Sequence, residues 1–275
     1  MKPRDVLRSD GKTAMRRLHG FTLIEMAVAI FIITLLLGSI LVPLQTQVEQ
    51  RQIATTQKYL DDIKEALVGF AAANGRLPCP ATATSSGVES FTGTVGASTC
   101  TTNYQGFVPA STLGITPLDD QGFAVDPWGN RIRYAVTAWT GALSTPAFTT
   151  TNGMSTLGLT ALTQSSGPFL LVCASATGIT TSPPSSASCG AATNVLTSSP
   201  GVPAVIYSIG KNGATGGTGV DEAANANPNS ATNDNVFISH TPASSSAANG
   251  EFDDIVVWLS PNILYGRMIA AGRLP

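Results

Sequence analysis

Gly20-Phe21-Thr22-Leu23-Ile24-Glu25 opens an apolar run that continues over residues 26–44 without a charged side chain. A helix over residues 21–44 is about 36 Å long at 1.5 Å per residue, enough to cross the hydrocarbon core of a bilayer. Glu25 lies inside that run. An unpaired carboxylate costs about 3 kcal/mol in a membrane helix on insertion scales. A span carrying one needs a partner for it, or a second environment in which the partner waits.

Charge divides at Gly20. Residues 1–20 hold six basic groups against Asp5 and Asp10, a net of +4, whereas the remainder carries nine Lys and Arg against 15 Asp and Glu, a net of −6. Positive flanks stay cytoplasmic, so the first 20 residues are expected inside and everything beyond Leu44 outside. An ordinary secretory signal does not fit: the apolar run is too long, and no small-x-small cleavage site follows it. A plain signal anchor fits the hydropathy but gives no reason for the hexapeptide at the mouth of the span.

That hexapeptide, set between basic residues and an apolar helix, resembles the prepilin-type signal of type IV pilins and type II secretion pseudopilins. The resemblance implies cleavage between Gly20 and Phe21 by a prepilin peptidase, N-methylation of Phe21, and an assembly role for Glu25. In that family the carboxylate pairs with the amine of a neighbouring subunit. It also implies that Pro43, with Gly38 and Ser39 nearby, marks a depth where the helix loosens in the filament. Proline removes an internal helix hydrogen bond, so a kink or local melting is expected there.

The helical pattern continues beyond the span. Leu60, Ile63, Leu67 and Phe70 recur at helical spacing, with Asp61, Asp62, Lys64 and Glu65 on the opposite face and a predicted Asp61–Lys64 pair. Asn74-Gly75 and Pro78 end it. The expected organisation is a basic leader (1–20), a membrane or filament-core helix (21–44), its outer amphipathic half (45–75) and an extracytoplasmic domain (76–275). About 230 residues follow the span, enough for one sizeable domain or two small ones.

Only 12% of the chain is charged, and 27 glycines and 17 prolines accompany abundant Ser and Thr, a balance that suits an extracytoplasmic surface. Cys79, Cys100, Cys173 and Cys189 all fall on the outer side, an even number that reads as two disulfides with three connectivities. Local pairing, Cys79 with Cys100 and Cys173 with Cys189, is expected because each pair brackets a Gly, Ser and Thr-rich loop. Each closed loop contributes about 3 kcal/mol in the chain-entropy model.

Strands are expected at Ile132, Tyr134 and Val136, which alternate with Arg131, Arg133 and Ala135, and in the apolar runs 169–173, 204–209 and 255–259. Residues 81–108, 140–167, 175–201 and 211–235 read as polar loops. The tail, 262–269, reads as either a helical turn or an edge cover. The fold expected is α+β and pilin-like: a long N-terminal helix packed on a small antiparallel sheet with long loops. Asp126-Pro127-Trp128-Gly129-Asn130 resembles a turn of major pseudopilins, a second match to that group.

Catalytic constellations are absent from the sequence. His19 lies in the leader and His240 in a polar loop, where solvation is its expected state. Gly210-Lys211-Asn212 lacks the rest of a phosphate-binding loop, no Gly-x-Ser-x-Gly elbow exists, and without a Cys-x-x-Cys or Cys-His cluster zinc is not expected. Asp119, Asp120 and Asp126 are expected in solvated turns. Residues 207–213 followed by 253–255 resemble the calcium loop of major pseudopilins, which makes Ile209, Asn212, Asp253 and Asp254 the candidate ligands. Asn212 stands where that family has an acid, and the connecting loop is longer.

The expected function is therefore structural and not enzymatic: a minor or accessory pilin or pseudopilin subunit of a filament built at the bacterial inner membrane. Its expected partners are prepilin peptidase, other subunits, an inner-membrane assembly platform and the membrane itself. Calcium is the sole candidate cofactor. A tip adhesin or a signal-anchored extracytoplasmic protein are the alternatives. The net charge of −6 argues against nucleic acid, with Arg131 and Arg133 as the one local basic pair.

Overall fold

The computed structural model describes residues 20–163, 169–181, 184–213, 217, 219–226 and 234–274, apart from the side chains of 39–44, 161, 163 and 184. The chain forms two compact units, residues 1–49 and 50–275. In the first, the described part is the beginning of α1 (Leu23–Asn74). Every described side chain from Phe21 through Gly38 is exposed. The helix assignment runs through Pro43 unbroken, and the kink expected there falls among the side chains outside the description. Residues 1–19, with most of the expected leader and His19, also lie outside it.

In the second unit the outer part of α1 buries Leu60, Ile63 and Leu67, as their spacing requires, while Phe70 is half-buried. Lys64 pairs with Asp61 at 2.6 Å and Lys58 with Asp62 at 3.2 Å on the wet face. Arg273, near the C-terminus, donates to the carbonyls of Ala72 and Ala73, satisfying orphan acceptors in the last turn of α1.

The main sheet is antiparallel in the order β1-β2-β4-β6, formed by β1 (Gly106–Phe107), β2 (Arg133–Val136), β4 (Ala204–Ser208) and β6 (Ile255–Leu259). One face, with Tyr134, Val136, Ala204, Ile206 and Leu259, shares a core cluster with Leu60, Ile63 and Leu67 of α1. The run 169–173, expected as part of an antiparallel sheet, goes elsewhere. Its strand β3 (Leu171–Cys173) pairs in parallel with β5 (Val236–Ile238). Leu170, Val172 and Phe237 join Ala135, Val205, Tyr207 and Val256 in a second cluster. Alternate strand residues thus belong to different cores.

That second cover explains why Ala135, expected on a polar face, is fully buried, and why all five residues of β4 are buried. Strands covered on both faces read as continuous apolar runs. Short helices complete the fold: α2 (Ala110–Leu113), α3 (Gly153–Leu157), α4 (Val220–Ala226) and α5 (Pro261–Ala270). Helix α4 and strand β5 lie in or beside stretches that composition marks as loop. The tail resolves as a helix, with Leu264, Tyr265 and Met268 in the α1 core. Disulfides join Cys79 to Cys100 and Cys173 to Cys189.

Candidate functional site

Helix α1 begins with a reciprocal cap. The Thr22 backbone N–H and hydroxyl each donate to Glu25 Oε2 at 2.8 Å, and the Glu25 N–H donates to Thr22 Oγ1 at 3.3 Å. This is a capping box, in which two residues three apart satisfy each other's orphan groups. Glu25 is exposed with its carboxylate engaged locally. Gly20 differs in kind: a Cβ built there meets nothing within 4 Å, and its φ is not in the left-handed region. The fold itself imposes no need for glycine at this position.

The Asp126 turn is internal architecture. Asp126 is buried, accepts the N–H groups of Trp128 and Asn130 at 3.0 and 2.8 Å, and accepts Ser208 Oγ at 2.6 Å. Asn130 Nδ2 donates to the Gly210 carbonyl at 2.6 Å, so the turn grips the end of β4. Gly129 holds φ +87°, which explains the glycine in the motif. The expectation of a solvated Asp126 is corrected: the acid is consumed by turn bonds. Asp119 pairs with Arg131 at 2.7 Å, and three N–H donors hold its carboxyl below the usual range against a desolvation that pushes the other way.

Beyond β4 the chain folds over a cavity of about 160 Å³ lined by Arg133, Ile209, Asn212, Glu222 and Asp254 among others. Carboxylate oxygens of Glu222, Asp253 and Asp254 lie within 4.8 Å of one another. Glu222 comes from α4 and is the member missed in the sequence, since nothing in a loop-like stretch points it at Asp253. Asn212, expected as a ligand, turns its amide nitrogen to Glu222 at 2.9 and 3.0 Å, and its backbone N–H to Asp253 at 3.2 Å. The side chain of Ile209 can offer no ligand; it packs against the second core and lines the cavity.

Burial pushes Asp253 up to about 6 and Asp254 up to about 8, with repulsion added by Glu222 to both, by Glu251 to Asp253 and by Asp253 to Asp254. Hydrogen bonds from Asn212 to Asp253 and from Asn225 to Asp254 oppose the rise. Asp253 Oδ1 is buried without a hydrogen-bond partner among the described residues. Three converging carboxyls with one open oxygen fit a hard, oxygen-loving cation.

His240 is not solvated as expected. Its ring stacks on the buried Phe252 with centroids 3.8 Å apart, and Nε2 lies 3.2 Å from Asp221 Oδ2. Among the described residues, no helix is long and apolar enough to cross a membrane; the side chains of 39–44, part of the uncharged run in α1, are outside that set.

A helix laid on a small antiparallel sheet, with long loops, defines an α+β architecture consistent with the pilin-like fold. Residues 15–41 match the family model of the prokaryotic N-terminal methylation motif, the signature of type IV pilins and pseudopilins. The chain therefore carries the signal of a pilin-type protein processed by prepilin peptidase. No curated protein and no solved structure matches it. The signature points to a structural subunit and not to an enzyme.

Proposed function

We propose that this chain is a minor or accessory subunit of a type IV pilus or type II secretion pseudopilus, anchored by α1 in the bacterial inner membrane before assembly. The observation that carries this reading is the match at residues 15–41 to the methylation motif. The helix it covers supports the reading: apart from Glu25 and Thr34 its described side chains are apolar or glycine, and they are exposed in the lone chain. A helix hydrophobic all round needs lipid or neighbouring helices as its solvent. In the precursor that solvent is lipid, with residues 1–20 cytoplasmic and the folded domain outside. In the filament it is the α1 helices of other subunits, delivered by the assembly platform. The second cover of β3 and β5 and its flanking loops support the accessory role, because they add bulk beyond one helix on one sheet.

Gly20 supplies the test. Since the fold makes no demand for glycine there, the demand comes from a peptidase that must approach the Gly20–Phe21 bond closely. Gly20→Val is expected to leave the folded domain unchanged and to lower cleavage at least about tenfold, which corresponds to about 1.4 kcal/mol of transition-state fit. Intact-mass analysis of the membrane form measures both species. A wild-type chain that keeps residues 1–20 beside an active prepilin peptidase would refute the reading, and so would rapid processing of Gly20→Val.

The acidic cluster is proposed as a structural calcium site, held by Glu222, Asp253 and Asp254. When bound, the cation would neutralise carboxyls that otherwise repel. Calcium at about 100 times its dissociation constant would add about 2.7 kcal/mol, raising Tm by about 5 °C for a domain of this size. Magnesium at equal concentration is expected to do less, because it demands tighter octahedral geometry. Glu222→Gln removes the shift if the site is real; an identical calcium response in that variant rules the cluster out.

A further inference from the structure

We propose that His240 is a proton-operated clamp that holds the β3–β5 cover closed while its imidazole carries both ring protons. The inference is independent of the filament reading and stands on the two partners of the ring. Nδ1 lies 2.7 Å from the Thr241 carbonyl oxygen, which can only accept, so the ring donates there. Nε2 lies 3.2 Å from Asp221 Oδ2. The carboxylate of Asp221 already accepts the Ala176 N–H at 2.6 Å, Ser175 Oγ at 3.3 Å and Asn249 Nδ2 at 3.0 Å. It is an acceptor throughout, so Nε2 donates as well. Only the imidazolium donates from both nitrogens at once.

The clamp joins four separate segments. Asp221 belongs to α4, His240 follows β5, Ser175 and Ala176 follow β3, and Asn249 and Phe252 precede β6. Stacking on Phe252 fixes the ring, and its side chain is 24% exposed against 5% for Asp221, so water reaches the proton. Asp221 is the charged group that α4 turns toward the ring. Glu222, next along α4, bonds instead to Asn212 and the Asp253 N–H. Among the described residues, the segments around Ser175 and Phe252 bring no second charge into contact with the ring, and Glu251 makes no bond to it. Loss of one ring proton leaves a lone pair facing either Asp221 Oδ2 or the Thr241 carbonyl, and the four segments lose their common tie.

The test uses the full chain in detergent micelles, with hydrogen exchange measured at about pH 5.5 and about pH 8, either side of ordinary imidazole titration. After correction for intrinsic exchange, protection of the segments around Ala176 and α4 should fall about tenfold more in wild type than in His240→Gln. Asp253 and Asp254 titrate in an overlapping range, and their contribution remains in the variant, so the clamp is the difference between the two proteins. Asp221→Asn serves as the second variant if His240→Gln fails to fold, and should abolish the same difference. Nitrogen NMR of the imidazoles should show both ring nitrogens of His240 protonated at about pH 5.5; His19 is the other histidine in the sequence. An unprotonated His240 nitrogen at the lower pH, or equal pH responses in wild type and variant, overturns the proposal.

Discussion

Glu25→Ala subunits are expected to be cleaved and methylated at Phe21 yet to reach filaments at least about tenfold less often than wild type, if the carboxylate serves the assembled state as we propose. In the single chain Glu25 is spent on its own helix start, bonded to the Thr22 N–H and hydroxyl. In a bundle of α1 helices the same carboxylate would face the positive amine of a neighbour's Phe21, and two buried charges would satisfy each other. A second variant separates capping from pairing. Glutamine also completes a capping box, so Glu25→Gln keeps the helix start while removing the charge. If pairing is the role, Gln assembles as poorly as Ala. Recovery of filament incorporation by Gln, measured as the sheared fraction against the membrane fraction, would reduce Glu25 to a helix cap.

The largest stability effect is expected where α1 hands over to the domain. Arg76 donates to both carboxylate oxygens of Glu89 at 2.7 Å, with side-chain exposures of 7% and 8%. It also donates to the Leu77 carbonyl, and its guanidinium lies 5.2 Å from the Phe70 ring centroid and 5.3 Å from that of Phe91. Glu89 further accepts the Cys79 N–H at 3.3 Å. The pair therefore ties the exit of α1 to the loop closed by the Cys79–Cys100 bond. Removing one partner strands the other charge in a dry site, at a cost of about 3–5 kcal/mol. Arg76→Ala and Glu89→Ala should each lower Tm by about 10 °C at this domain size. Replacing both with apolar residues should cost less than the two single changes added together. A loss below about 1 kcal/mol for either single variant would place the pair with ordinary surface bridges.

These two sites differ in how they can be read. The bonds of Glu25 run to Thr22, three residues away, so the order of residues states the geometry. Arg76 and Glu89 are 13 residues apart with a turn between them, and no periodicity connects them. Chain pattern served well wherever a single face was at stake: the spacing of Leu60, Ile63 and Leu67 returned as a buried stripe on α1. It failed where an element acquired a second neighbour. The 169–173 run has the composition of any short strand, and composition carries no pairing partner. Only after β3 lies parallel to β5 does Ala135 become a core residue.

The candidate sites divide along the same line. Asp253 and Asp254 are adjacent in the chain and visible as a pair, whereas Glu222 joins them across a stretch rich in Gly, Ala and Asn. Asp221 and His240 likewise meet only because α4 sits beside β5, and a histidine among serines carries no sign of a carboxylate partner.

By itself the sequence determined the N-terminal segment: the methylation motif over residues 15–41 and the apolar helix that it enters. Both depend on residues near one another in the chain, and helix bonding is local. The tertiary structure alone decided the two-sided burial of the sheet, the third carboxylate at Glu222, the buried Arg76–Glu89 pair and the Asp221–His240 contact. Each joins groups distant in the chain, where contact follows from packing and not from propensity.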